Sequence, residues 1–217
     1  MAEKAYIGMG MEGAIARWYE KNAAKDMEEF RHLAGRIAGS VPAGSAILEV
    51  APGPGFLAVE LAKRGFAVTG LDISNTFVRL ASENARTAGV RVAFERGNAS
   101  AMPFADRSFD FLVCRAAFKN FADPLGALSE MHRVLRPGGQ ALIIDLRRDV
   151  TMADISRYVD ALGVSSLNRL LIKLTFRTML LPRAWTVSAM RELLGRTPFH
   201  HADIRPNAIG MEIRLDA

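Results

Sequence analysis

The residues of this chain best placed to do chemistry cluster around position 50. Ile47 to Gly55 reads Ile-Leu-Glu-Val-Ala-Pro-Gly-Pro-Gly, and the apolar run from Phe66 to Leu71 closes on Asp72. A buried strand ending in a tight glycine loop, with a helix behind it, gathers backbone N–H groups and a helix N-terminus at one point. An acid ending the next strand can then grip ribose hydroxyls there. Asp72 falls 19 positions after Gly53, close to the roughly 20-residue offset expected of such an acid. The pattern points to a nucleoside-containing cofactor. Glu49 is the odd residue, an acid near the end of the first strand that costs desolvation unless loop N–H groups or a cationic ligand meet it.

The elements that must position these groups follow from periodicity. Apolar residues at helical spacing over 12–38 (Ile15, Trp18, Tyr19, Met27, Phe30, Leu33, Ile37) predict one or two amphipathic helices. Alternation follows: strand 46–50, helix 55–64, strand 66–71, helix 75–88 capped by Ser74 and ended by Gly89, strand 91–95. A buried strand at 109–114, a helix at 124–135, a turn at Arg136-Pro-Gly-Gly and a strand at 140–145 continue it. Sequence from 150 to 183 is mostly helical and apolar-basic; a helix at 187–195 and strands near 200–205 and 208–214 finish the chain. Short connections between alternating strands and helices predict an α/β, doubly wound, largely parallel sheet. One domain over 1–217 is expected, with N-terminal helices (1–44), a cofactor-binding core (45–146), a helical lid or insertion (147–186) and a C-terminal helix and strand hairpin (187–217).

Composition narrows the class. One cysteine, Cys114, excludes an internal disulfide framework and fits a reducing, cytoplasmic setting. The start Met-Ala-Glu-Lys carries no secretory pattern, and no run reaches the roughly 18 apolar residues of a membrane span. A net charge of +5 raises the question of nucleic acid, but no recognised binding module accompanies it, so no nucleic-acid partner is expected.

Gly53-Pro-Gly55-Phe-Leu-Ala58 also fits the dinucleotide fingerprint, a weak match alone. Further blocks decide between the two. Glu49-Val-Ala51-Pro52-Gly53-Pro-Gly55, Asp72, Gly97-Asn98-Ala99 with Met102-Pro-Phe, Ser108-Phe-Asp-Phe-Leu-Val and His132-Arg-Val-Leu-Arg-Pro-Gly-Gly occur in order across 45–150. Together they resemble the class I S-adenosylmethionine-dependent methyltransferases, in the small-molecule, type 11-like branch. Ala51 stands where that family has its first glycine, and Asn98 where it has aspartate.

The resemblance implies a Rossmann-like seven-stranded sheet, mostly parallel, with one antiparallel strand near the C-terminus. It implies S-adenosylmethionine as cofactor, S-adenosylhomocysteine as product, and transfer of a methyl group to a small molecule. The cofactor would be held by the loop residues Glu49, Ala51, Pro52, Gly53 and Gly55. Asp72 would meet the ribose, with Ile73 beside it also binding cofactor, Asn98, Ala99 and Met102 would meet the adenine, and Arg115 and Ala116 would hold cofactor at the fourth strand's end. Tyr19, Arg115, Lys119 and Asn120 would face the acceptor, with Trp18 and the Met9/Met11 segment on the other wall. Relatives often carry a histidine pair where this chain has Lys119-Asn120. An in-line displacement needs alignment more than an acid or base, so no catalytic residue is assigned.

Arg115 and Lys119 suggest an acceptor bearing carboxylate, phosphate or enolate; alternatively they face solvent or pair with Asp123. His32, His132, His200 and His201 lack metal-ligand spacing, and no metal is expected. Asp110 is read as a brace for neighbouring backbone and Cys114 as a packed thiol. Segment 147–183 holds seven basic and three acidic residues; its apolar stretch Leu170–Leu181 is read as a lid or packing helix in preference to an interfacial helix or oligomer contact. A homodimer is left open. RNA or protein methylation, and a non-catalytic nucleoside binder on the same fold, are the competing readings.

Overall fold

A computed structural model describes residues 6–8 and 10–217. Two helices come first, α1 (Gly13–Ala23) and α2 (Met27–Ala38), joined by a 3-10 turn at Ala24–Asp26. α2 buries Phe30, Leu33, Ala34 and Ile37, the single stripe that its periodicity demands. Then β1 (Ala46–Val50), α3 (Phe56–Ala62), β2 (Ala67–Asp72), α4 (Asn75–Thr87) and β3 (Ala93–Arg96) alternate. Ser74 Oγ accepts the Phe77 amide at 3.1 Å and so caps α4, and Gly89 takes φ +70° just past its end.

β4 (Phe109–Arg115), α5 (Pro124–Val134) and β5 (Leu135–Leu146) follow, with α8 (Val187–Leu194), β6 (His201–Pro206) and β7 (Gly210–Asp216) closing the chain after a helical cap. The strand order is β3-β2-β1-β4-β5-β7-β6. β7 pairs antiparallel with both β5 and β6, so six strands run one way and β7 against them. β1 and β4 lie inside the sheet with helices on both faces, which is why both are mostly apolar and buried. One core cluster joins α2 and α3 to the sheet, and another joins α5 and α8 to its opposite face.

β5 starts earlier than the sequence pattern suggests. Leu135 already pairs with Phe109, and the Pro-Gly-Gly turn is absorbed as an irregularity before Gln140 meets Phe111. The cap between β5 and α8 holds α6 (Met152–Ala161), α7 (Ser166–Thr175) and a π-helical turn at Phe176–Leu180. It packs around its own small core of Ile155, Val159 and Phe176. Among the described residues no helix is long and apolar enough to cross a membrane.

Candidate cofactor and active site

The parallel register sets the tips of β1, β2 and β4 side by side, so Glu49, Asp72 and Arg115 rise from one edge of the sheet. Asp72 is buried. Its Oδ2 accepts the Gly53 amide at 3.0 Å, and its Oδ1 accepts the Ser74 amide at 2.9 Å. Burial pushes its carboxyl up to about 6, against the pull of those amides. A carboxylate offers about four lone-pair sites, and the Ile73 amide also bonds to this one, so acceptor capacity remains for an incoming hydroxyl.

The loop between β1 and α3 is built from left-handed backbone. Gly53 has φ +56° and Gly55 φ +76°. A Cβ on Gly55 would lie 2.8 Å from both Ala81 and Phe94, so that glycine lets α3 approach α4 and β3. Gly53 is open instead, its nearest would-be contacts being Tyr19 at 3.7 Å and Phe77 at 3.9 Å. Ala51 also sits at φ +57°, a region that L side chains occupy only with strain. Its amide is fixed by Leu71 O at 2.8 Å.

Glu49 is the least satisfied group of the site. The Ala58 amide donates to its carboxyl, yet Oε2 has no hydrogen-bond partner among the described residues. Burial pushes its pKa to about 8, so at neutral pH it is largely protonated. A cation beside it would restore the charge. A buried acid with a free oxygen, an acid with vacant lone pairs and an open glycine together fit a nucleoside that carries positive charge.

On the β3 side, Asn98 Oδ1 accepts the Ser100 amide at 3.0 Å, closing a turn after Gly97. Ala99 is partly buried and Met102 packs into the main core. Pro52 is buried beside Gly70, while Ile73 remains 39% exposed next to Asp72, as a wall awaiting a flat apolar partner would be.

The acceptor side corrects two expectations. Arg115 is no free cation: it pairs with Glu29 at 2.7 Å and lies over the Phe30 ring at 4.8 Å. Lys119 neither faces solvent nor pairs with Asp123. It is buried, its Nζ donating to Asp145 Oδ1 at 2.7 Å and to Ala116 O, while its amide donates to Asp145 Oδ2. Parallel pairing of β4 with β5 brings Asp145 to this position, whereas Asp123 is spent capping α5. Ala116 takes φ +59°, and the buried Asn120 receives the Ile7 amide on its carbonyl.

Tyr19 stacks edge-on against Phe77, and Met11 packs with the same group; Trp18 is exposed and Met9 lies outside the described residues. Tyr6 and Asp145 were not among the residues singled out from sequence. Tyr6 bridges to Phe121, and burial raises its hydroxyl pKa while Arg183 lowers it and Asp72, Tyr19 and Asp145 raise it. Asp145 had a readable signal, being a third carboxylate at a strand tip; Tyr6 had none. The chain preceding α1 is tied at both ends. Ile7 donates to Asn120 O, while Ser74 Oγ donates to Met11 O at 2.6 Å and Glu12 accepts the Asn75 and Thr76 amides.

Asp110 braces backbone, accepting the Ala46 amide at 2.8 Å and pairing with Arg136. Cys114 is fully buried, and burial drives its thiol pKa upward. His132 packs edge-on to Phe199.

With this geometry in hand, known proteins can be set beside it. A family model described as a methyltransferase domain matches residues 48–143. Demethylmenaquinone methyltransferase of Deinococcus radiodurans is 38% identical over 101 residues, 46% of this chain and 42% of that protein. The chain thus spans under half the length of such curated relatives. The crystal structure of a putative S-adenosyl-L-methionine-dependent methyltransferase from Methanococcus maripaludis superimposes with a TM-score of 0.76 at 18% identity, covering 99% of this chain and 96% of that one. The [4+2]-cyclase SpnF shares the fold at a TM-score of 0.61 and 23% identity, over 81% of this chain and 59% of its own. Residues 48–143, the stretch that matches the methyltransferase domain model, span the glycine loop, Asp72, Asn98 and the β4 tip, and over this stretch the chain is similar to S-adenosylmethionine-dependent methyltransferases in sequence and in fold.

Proposed function

We propose that this chain transfers a methyl group from S-adenosylmethionine to a small-molecule acceptor by in-line displacement, the acceptor entering beside the tips of β4 and β5. The buried Glu49 carboxyl beside Asp72, with one oxygen left without a partner among the described residues, carries the proposal, since a cationic nucleoside answers both groups. When bound, the donor supplies an electrophilic methyl on a sulfonium. The chain supplies alignment and exclusion of water. Asp72 holds the ribose diol, Ile73 and Asn98 border the adenine, and Glu49 faces the cationic end. Tyr6 and Tyr19 have raised pKa values, so they stay protonated at neutral pH and orient the acceptor as hydrogen-bond donors; neither serves as a base.

The internal pairing of Arg115 with Glu29 and of Lys119 with Asp145 supports an acceptor recognised through apolar and aromatic surface over one that brings its own anion. The relatives' name supports a quinone-type ring of that description. The test is transfer of a labelled methyl group from the donor to reduced quinones, to carboxylate acceptors and to RNA. Label on the ring compounds alone supports the proposal. Label on carboxylates or RNA alone overturns the acceptor class, and cofactor binding with no transfer to any of them overturns methyl transfer.

A further inference from the structure

The cap presents a surface that the methyl-transfer reading does not use. Leu167, Leu170, Leu171 and Leu174 fall at i, i+3, i+4 and i+7 of α7 and are 67, 64, 51 and 54% exposed. The opposite side of the same segment, Ile172 and then Phe176, packs into the cap's own core. The leucines therefore point away from the cap's core. Leu162 and Met179 continue the exposed apolar surface. Two exposed hydroxyls nearby are engaged by the helix's own backbone: Thr175 donates to Leu171 O at 2.9 Å and Thr178 to Leu174 O at 2.8 Å. A contiguous exposed apolar face of this kind on a globular protein marks an interaction site.

Charge identifies the partner. Residues 152–183 carry five basic and two acidic side chains. Arg169 and Lys173 share the single Asp160 at 3.5 Å each, and Lys173 and Arg177 run along one flank of the leucine stripe. Two copies meeting through this face would bring like charges together. A helix of ten residues, about 15 Å long, is too short to span a bilayer but can lie in its interface. We infer that α7 docks on an anionic lipid bilayer, its leucines in the acyl boundary and its cations on the headgroups. The buried side of the same segment, opposite the leucines, reaches α6, where Tyr158 stacks edge-on against Phe176.

Docking of this kind is independent of the acceptor reading, because its test uses no methyl donor. The full chain is floated with vesicles of phosphatidylcholine, with and without phosphatidylglycerol. Wild type should float with the anionic vesicles at about 0.15 M salt and less well at higher salt. Replacing Leu170 and Leu174 together by serine should cut partitioning by about tenfold or more, and Lys173→Glu with Arg177→Glu should erase the preference for phosphatidylglycerol. Unchanged far-UV circular dichroism melting confirms that both variants fold. No flotation of wild type, or equal flotation of the leucine variant, overturns the proposal. So does a wild-type dimer in sedimentation equilibrium that the leucine variant converts to monomer.

Discussion

The glycine-loop edge of the sheet and the helical cap treat awkward side chains in opposite ways. At the edge, charge is taken indoors: Glu49, Asp72, Lys119 and Asp145 are all at least 94% buried. Each is met by backbone amides, an opposite charge or, for Glu49, only half met. In the cap, apolar groups are put outdoors, with four leucines on one solvent-facing stripe. Buried charge is costly, and the site recovers that cost only through partners. Exposed leucine forgoes about 1.5–3 kcal/mol per side chain that burial would contribute. Both departures from the usual inside–outside rule therefore mark places where something else is meant to arrive.

The sharpest way to break the contrast is Lys119→Ala, which leaves Asp145 charged and unpaired in the interior. Urea denaturation should register a loss of about 3–5 kcal/mol; a loss below about 1 kcal/mol would mean that Asp145 reaches water. Asp72→Asn removes a charge from the oxygens proposed to hold the ribose diol and should weaken binding of S-adenosylhomocysteine by about 1–3 kcal/mol in calorimetric titration. Unchanged affinity would place the ribose elsewhere.

The pH dependence sharpens the same point. The Asp72 carboxyl is raised to about 6 in the unliganded protein, so only about a tenth is ionised at pH 5 and about nine-tenths at pH 7. A ribose diol donates to the ionised form. Affinity should therefore rise about tenfold over this interval, and the Asp72→Asn substitution, which leaves an amide that does not titrate, should flatten that rise. A profile that falls with pH in the wild type would contradict the assignment.

Smaller effects separate the two regions further. Ala51→Gly removes a left-handed alanine and should stabilise the fold by up to about 1 kcal/mol, read from the thermal midpoint. Destabilisation there would mean that the methyl group packs usefully. Leu170→Ser, on the exposed stripe, should change stability by less than about 0.5 kcal/mol. A larger loss would show that the stripe is packed in solution.

Legibility followed the range of the interactions. Asp72, Gly53 and Gly55 could be read because one strand, one turn and one helix fix their relation within some twenty residues. The seven-stranded sheet and its antiparallel strand near the C-terminus came with the resemblance, and most element limits fell within two residues of those anticipated. The partners of Arg115 and Lys119 could not be read, since they come from α2 and from the far end of β5. Asp123 was nearer in sequence and chemically just as able. Leu170–Leu181 was recognisably helical, but periodicity alone does not say whether an apolar face is covered. Tyr6 belongs to a segment without pattern, held by hydrogen bonds that only the folded chain provides.

That N-terminal segment has a kinetic consequence. It is stitched to the turn after β2 by Ser74, Glu12 and Thr76, and to the turn after β4 by Tyr6 and Ile7. β1 and its glycine loop lie between those two anchor points. For a ligand seated on the loop, as proposed above, the rate of exchange is expected to follow the opening of this clasp.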